Sequence, residues 1–344
     1  MSFVVLPVLI CGGIPLTRLI FERIILWFTL GNVVAFLCSI GNAFIDYPVE
    51  GLDAFFYDTL TMFDNIAVHA SIKAATAIIF LLYFRFEHVR LLYKKGFVFV
   101  LLLICLAVFL ILLSSKTILI LCVAFAASRV FYDLVIKKRH IAAYLSLSAF
   151  FAIALCLALA IDGSPLKKRF ADVIVNVPRI PTSDSTYNIA YADNYSKRSV
   201  LWDAAWRNIK KDNNWILGCG SGDVHAIHTE MLGTPDFIKD QTNFNNVKAL
   251  QGMNIDNMYL HTWLSIGIPG LLVLFALLLS CIVGLLYCRE YAGVLFIIMW
   301  GLFMIQENEL QSQSGIVFVT FFSCLLSSLY HLKLLPRKHK AVPK

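Results

Sequence analysis

Apolar runs long enough to cross a lipid bilayer recur along almost the whole chain, and this decides which solvent the fold is built for. They fall at 3–16, 24–45, 69–84, 97–113, 117–136, 141–161, 260–286, 293–305 and 315–332. A bilayer core is matched by about 17–25 apolar residues in helical form. A series of such runs excludes a soluble enzyme with a single anchor. Composition agrees: 59% of residues are hydrophobic, 15% are charged, and the mean hydropathy is +0.75. A soluble domain carries roughly 25% charged residues. Because lipid cannot hydrogen-bond a bare backbone, long apolar runs cross it as helices. The expected fold is therefore an all-α polytopic membrane protein with about nine transmembrane helices. The first run is short for a full span, which suggests a tilted or partial helix or a shortened N-terminal region. It lacks the basic start and small-residue cleavage site of a signal peptide.

The net charge of +7 does not point to nucleic acid, because the cations concentrate in short connections between apolar runs. These hold Arg18 and Arg23; Arg85, Arg90, Lys94 and Lys95; Lys137, Lys138 and Arg139; Arg289; and a tail with Lys333, Arg337, Lys338, Lys340 and Lys344. The alternate connections 46–68 and 306–314 contain no Lys or Arg, and carry Asp46, Asp53, Asp58, Asp64, Glu307 and Glu309 instead. Basic loops stay in the cytoplasm. The C-terminus is then expected to be cytoplasmic, and segment 162–259 to lie on the opposite side. The domain reading is an N-terminal transmembrane bundle over 1–161, a large periplasmic or extracellular loop over 162–259, C-terminal transmembrane helices over 260–332, and a basic tail over 333–344.

The long hydrophilic segment is where function is expected, since structureless loops of such length are uncommon. Residues 196–211 read as an amphipathic helix with Ser196 as a possible N-cap. Leu201, Trp202, Ala205 and Ile209 form its apolar stripe, and Trp202 and Trp206 could sit at the membrane interface. The glycine cluster at 218–222 then makes a turn. The chain has nine cysteines, but only Cys219 falls in this loop, so no disulfide framework is expected there.

Several residues there and nearby could carry chemistry, each with a plainer alternative. Arg198 could clamp a diphosphate bidentately, or contact a lipid headgroup, or pair with Asp203 or Asp193. Lys116, in a very short turn between two spans, could bind phosphate or be a snorkelling lysine. Asp256 could take a proton from a hydroxyl, and Asp256-Asn257 could equally cap the next helix. His261, one turn after Asn257 in the seventh span, could be a base or a buried hydrogen-bonding residue. His69, Lys73 and Arg129 lie within apolar spans, where ionisable groups commonly face a functional cavity. His225 and His228 make one H-x-x-H, and two ligands without a third do not form a metal site. No metal and no cofactor are expected. Walker, Rossmann, GxSxG and CxxC patterns are missing from the sequence, so a reaction must draw its energy from its substrate.

Three features together resemble the O-antigen ligase and O-antigen polymerase family of bacterial envelope glycosyltransferases. One is the short turn Ser115-Lys116, where the family typically has Ser-Arg in an Arg-x-x-x-Leu pattern; here Lys116 and Ile120 stand in those places. Another is the outer loop with Arg198-Ser199-Val200-Leu201-Trp202 followed by the glycine cluster at 218–222. The third ends the loop: the ligases show His-Asn, nine residues, then Gly-x-x-Gly, and here Asp256-Asn257 precedes Gly267-Ile268-Pro269-Gly270 at that spacing. The resemblance covers roughly 65–290. It implies a GT-C-like helix bundle of the metal-independent kind, in the bacterial inner (cytoplasmic) membrane. The implied donor is a glycan on undecaprenyl diphosphate, and the implied acceptor is a glycan or the lipid A-core. It also implies diphosphate-binding roles for Lys116 and Arg198, a catalytic role for Asp256 alongside Arg198, and supporting roles for Asn257, His261, Gly267, Gly270 and His69. Asp256 stands where the ligases carry their catalytic histidine, which looks more like members that polymerise repeat units. The competing expectations are a transporter or flippase of lipid-linked saccharide, suggested by His69, Lys73 and Arg129, and a scaffold of an envelope assembly complex.

Overall fold

The computed structural model describes residues 17–63, 66–84, 96–132, 194–211, 214–234, 237, 250 and 252–334. The expected spans at 3–16 and 141–161 lie outside the described residues, as do the basic connections at 85–95 and 137–139 and most of the tail. Among the described residues the regular structure is all helical. The helices are α1 (Arg18–Glu50), α2 (Ala67–Tyr83), α3 (Gly96–Leu112), α4 (Lys116–Tyr132), α5 (Asn194–Lys210), the single turn α6 (Asn214–Leu217), α7 (Val224–Leu232), α8 (Met258–Tyr287), α9 (Tyr291–Phe303) and α10 (Gln313–Leu334).

The chain divides into two compact units. One draws on Leu9–Ala171, Gly284–Met299 and Cys324–Lys344. Its described part is organised around α2, which packs against α1, α3 and α4. Ala67, Ala70, Ala74, Ala75 and Ala77 of α2 are buried. Small side chains let neighbouring helices approach closely, which is how helices associate where lipid is as apolar as they are. Aromatic pairs fill the gaps, with Phe21 against Phe84 and Phe36 against Phe109, each at 4.9 Å between ring centroids. Helix α1 begins where Thr17 caps it, its hydroxyl accepting from the Ile20 N–H at 3.3 Å. It turns Trp27, Leu37, Phe44 and Ile45 outward. Exposed apolar side chains on an apolar helix are costly in water and suited to lipid.

The other unit draws on Asp172–Val283 and Trp300–Ser323 and contains the amphipathic helix. That helix starts at Asn194, two residues before the expected Ser196 cap, so Arg198 lies in its second turn. Its stripe is buried in protein: Val200, Leu201, Ala204, Ala205 and Ile209 all pack inside. Side chains such as Leu201 and Ile209 each contribute roughly 1.5–3 kcal/mol on full burial. Val224 and Leu232 of α7, Phe237, Leu250, Ile255 and Leu264 complete this core. Trp202 packs against it, while Trp206 stays exposed and meets Trp263 edge-on at 5.4 Å.

The expected span 260–286 is not one continuous helix. Gly267 has φ 77° and ψ −163°, which breaks α8 into two pieces. Only glycine takes such a conformation readily. Residues 258–266 form a short helix, and Pro269 sits in the first turn of the next piece, where its missing N–H costs nothing. The second piece, 268–287, has about 20 residues, or roughly 30 Å, close to the bilayer core. Its Leu272, Val273, Leu277, Leu279 and Val283 face outward.

Candidate active site

The break at Gly267 leaves the last carbonyls of the 258–266 helix without intrahelical partners. The glycine cluster supplies the donors. Cys219 N–H reaches Leu264 O at 2.8 Å and Gly220 N–H reaches Ser265 O at 3.0 Å. The Trp263 indole N–H adds a bond to Trp215 O at 2.9 Å. The two backbones lie so close that neither side tolerates a Cβ. One on Gly218 would come within 2.5 Å of the Ser265 carbonyl carbon, and one on Gly267 within 2.0 Å of Ile216 O. The two glycine motifs of the sequence are thus the two halves of one clasp.

At the other end of the same short helix sit the polar residues. Asn257 caps it, its side-chain oxygen accepting from Leu260 N–H at 3.0 Å. Asp256, just before the cap, has φ 49°, a left-handed conformation that Asp and Asn accept better than most residues. Capping and catalysis are roles that can coexist in this pair; the cap belongs to Asn257, which leaves the half-buried Asp256 carboxylate uncommitted to it. Burial pushes that carboxyl above its usual range, while the nearby Arg198 guanidinium pulls the other way.

Arg198 pairs with Glu307, Nη2 to Oε1 at 2.6 Å, with side chains 23% and 14% exposed. Glu307 is therefore its partner; Asp203 instead pairs with Arg207 at 3.0 Å, and Asp193 lies outside the described residues. The 304–312 connection that carries Glu307 is fixed to the site at two further points. Met258 N–H donates to Met304 O at 2.8 Å, and the Gln311 side chain is hydrogen-bonded to His261 Nε2. Sequence reasoning placed Arg198, Asp256, Asn257 and His261 here but gave no site role to Glu307 or Gln311. The signal was present in the density of polar residues over 306–314, unusual for so short a connection.

Gly270 lies on the second piece of α8 and packs against Ile266. Lys116 and His69 belong to the other unit. Lys116 opens α4 directly after Ser114 and Ser115, both buried. His69 and Lys73 are half-buried on α2, one turn apart. Arg129 lies 5.3 Å from the centroid of the Tyr83 ring, and the Tyr83 hydroxyl donates to Phe125 O at 2.9 Å. His225 is exposed and His228 buried. Among the described residues no cluster of three His, Cys, Asp or Glu is arranged to hold a metal ion.

A family model described as O-antigen ligase matches residues 99–275, more than half of the chain. The chain belongs to the O-antigen ligase family. The match runs from α3 through the clasp, and so takes in Lys116, Arg198 and Asp256 together with both glycine motifs. As a member of the O-antigen ligase family, the chain is a bacterial membrane protein, and its function is of the O-antigen ligase or polymerase type, in surface polysaccharide assembly. A comparison with curated proteins returns no match.

Proposed function

We propose that this protein is a glycosyltransferase that takes a glycan from undecaprenyl diphosphate and adds it to a growing polymer or a lipid A-core. The reaction takes place at the outer face of the inner membrane, with segment 162–259 on that side and the C-terminus in the cytoplasm. The observation that carries the reading is a half-buried carboxylate, Asp256, near enough to the Arg198 guanidinium in the same unit to feel its charge. In the transfer, the acceptor hydroxyl oxygen bonds to the anomeric carbon of the donor sugar. The bond from that carbon to the diphosphate oxygen breaks, undecaprenyl diphosphate departs with the electron pair, and the hydroxyl proton passes to Asp256. A raised pKa makes a carboxylate a better base, and a fixed cation stabilises charge on the leaving group. Lys116 keeps a diphosphate-binding role in this reading. As the first residue of α4 it adds its charge to the positive end of a helix macrodipole, an arrangement suited to an anion. The diphosphate bond stores the energy of transfer, so no nucleotide is needed. Asp256 in place of histidine favours polymerisation over ligation.

Arg198→Ala and Asp256→Asn each lower transfer of lipid-linked glycan in membranes by at least about 100-fold, a loss in the range seen when a charge-stabilising group or a general base is removed. Asn is the better probe at 256 because it keeps the left-handed backbone that Ala would strain. Wild-type glycan profiles in either variant would remove that residue from the mechanism. A deletion strain that accumulates single repeat units on their acceptor identifies a polymerase; one that keeps long polymer on the carrier identifies a ligase. Purified protein that moves lipid-linked glycan across liposomes without forming glycosidic bonds would replace the transferase with a flippase.

A further inference from the structure

Where the glycine cluster closes onto Gly267, the surface turns apolar. In the single turn α6, Trp215 and Ile216 are each 44% exposed and Leu217 is 76% exposed. Three consecutive helical residues point through about 200° of arc, so the turn protrudes from the protein instead of lying flat on it. Trp, Ile and Leu on a protruding turn gain nothing from burial while water surrounds them. The backbone of the turn is fixed at three points. Gly218 N–H closes it on Asn214 O at 2.8 Å, the Trp263 indole N–H holds Trp215 O, and the Ile216 and Leu217 backbones lie against Gly267. The exposure therefore belongs to a held element.

Contact with Gly267 also sets the level of the turn. Gly267 directly precedes the piece 268–287, whose roughly 30 Å match the hydrocarbon core of a bilayer. Arg289 follows the far end of that piece, where a cation belongs outside the hydrocarbon, so Gly267 falls at the opposite boundary. A turn that touches Gly267 stands at that boundary too. Apolar surface runs on from there: Ile266, 51% exposed, packs on Gly270, and Leu272 and Val273 face outward on the next turn. Trp206 meets Trp263 beside the clasp, and Lys210 Nζ lies 4.9 Å from the Trp206 ring centroid. Lys210 and Lys211 are both exposed. Tryptophan at the edge of an apolar span, with lysine beside it, suits a surface that meets lipid headgroups. A protein partner on this turn would sit at the level where headgroups already surround the span.

We propose that α6 is a membrane anchor of the large loop, with Trp215, Ile216 and Leu217 inserted among the headgroups and upper acyl chains of the lipid leaflet that faces the loop. The anchor holds the clasp, and through the short helix the Asp256 carboxylate, at a set level relative to the bilayer. On the proposed function that leaflet is the outer one. The anchor itself does not depend on glycan transfer.

The test uses the full chain in the membranes of cells grown on radioactive phosphate, with the photoreactive residue p-benzoylphenylalanine in place of Leu217. Under near-ultraviolet light its ketone inserts into the C–H bonds it touches. The purified protein is expected to retain phospholipase-sensitive label, whereas the same residue in place of Glu230, exposed on α7, retains none above the unirradiated background. A probe at 217 that takes up no lipid, as water would give, overturns the proposal. So does equal labelling at both positions, and so does a cross-link from 217 to a second protein in place of lipid. If the 217 variant does not accumulate, the probe replaces Trp215 instead, and the same outcomes decide. The Asp256→Asn variant carrying the probe is assayed for transfer as well. Wild-type transfer there with lipid on the probe removes Asp256 from the transferase reading and leaves the anchor standing, whereas lost transfer with no lipid on the probe removes the anchor alone.

Discussion

Arg198 shows how little of an ion pair can be read from one stretch of chain. Its partner, Glu307, is 109 residues away, whereas the local alternatives, Asp193 and Asp203, were the ones visible in the sequence. The pair also sets up a pH prediction. Burial raises the Asp256 pKa and Arg198 lowers it, so any change that frees more of the Arg198 charge lowers it further. Asp256 must be deprotonated to act as a base, so activity falls as pH drops through its pKa, and that limb lies above the ordinary carboxylate value of about 3.9. Glu307→Gln removes the charge that offsets Arg198 and is expected to move the limb to lower pH, as measured by initial transfer rates across pH. A limb that stays put or moves up would separate Glu307 from the electrostatics of Asp256. His228 illustrates a different limit. The sequence showed it only as half of an H-x-x-H pair, and no spacing reveals that it is buried while His225 stays exposed.

At the scale of elements, the apolar helices were legible because hydrophobicity over about 20 residues is a strong signal. The described helices overlap seven of the nine expected runs. The break inside α8 was present in the sequence as Gly267-Ile268-Pro269-Gly270, yet the apolar run continues unbroken through it, and hydropathy does not respond to backbone dihedrals. The two glycine motifs were each legible, but their closure onto one another was not, since it is a backbone-to-backbone contact between segments about 50 residues apart. The clasp predicts sharp intolerance. Gly267→Ala combines a positive φ with a Cβ 2.0 Å from Ile216 O, and Gly218→Ala meets the Ser265 backbone. Each is expected to cost on the order of 3 kcal/mol or more, from clash and backbone strain together. Lowered melting temperature and loss of transfer would follow. Gly284→Ala, where a Cβ meets nothing within 4 Å, is the control and leaves both unchanged. A Gly267→Ala protein as stable as this control would show that the break is not held by the clasp.

For the whole molecule, sidedness is the property on which the proposed reaction depends. It was read from Lys and Arg placement, and many of those cations lie outside the described residues. A single-cysteine variant carrying Ser221→Cys, at an exposed position beside the clasp, tests it. Labelling by a membrane-impermeant maleimide in intact spheroplasts is expected, and labelling only after permeabilisation would put the site in the cytosol. The broken helix has a geometric consequence for any such enzyme. Between Asp256 and the first residue of the lipid-length piece lie nine helical residues, about 13 Å of rigid rod, anchored at one end by the clasp and at the other by Met304 and Gln311. The distance from the start of the span to the carboxylate is therefore built in as a ruler, and a substrate must reach that fixed mark, however long the polymer behind it has grown.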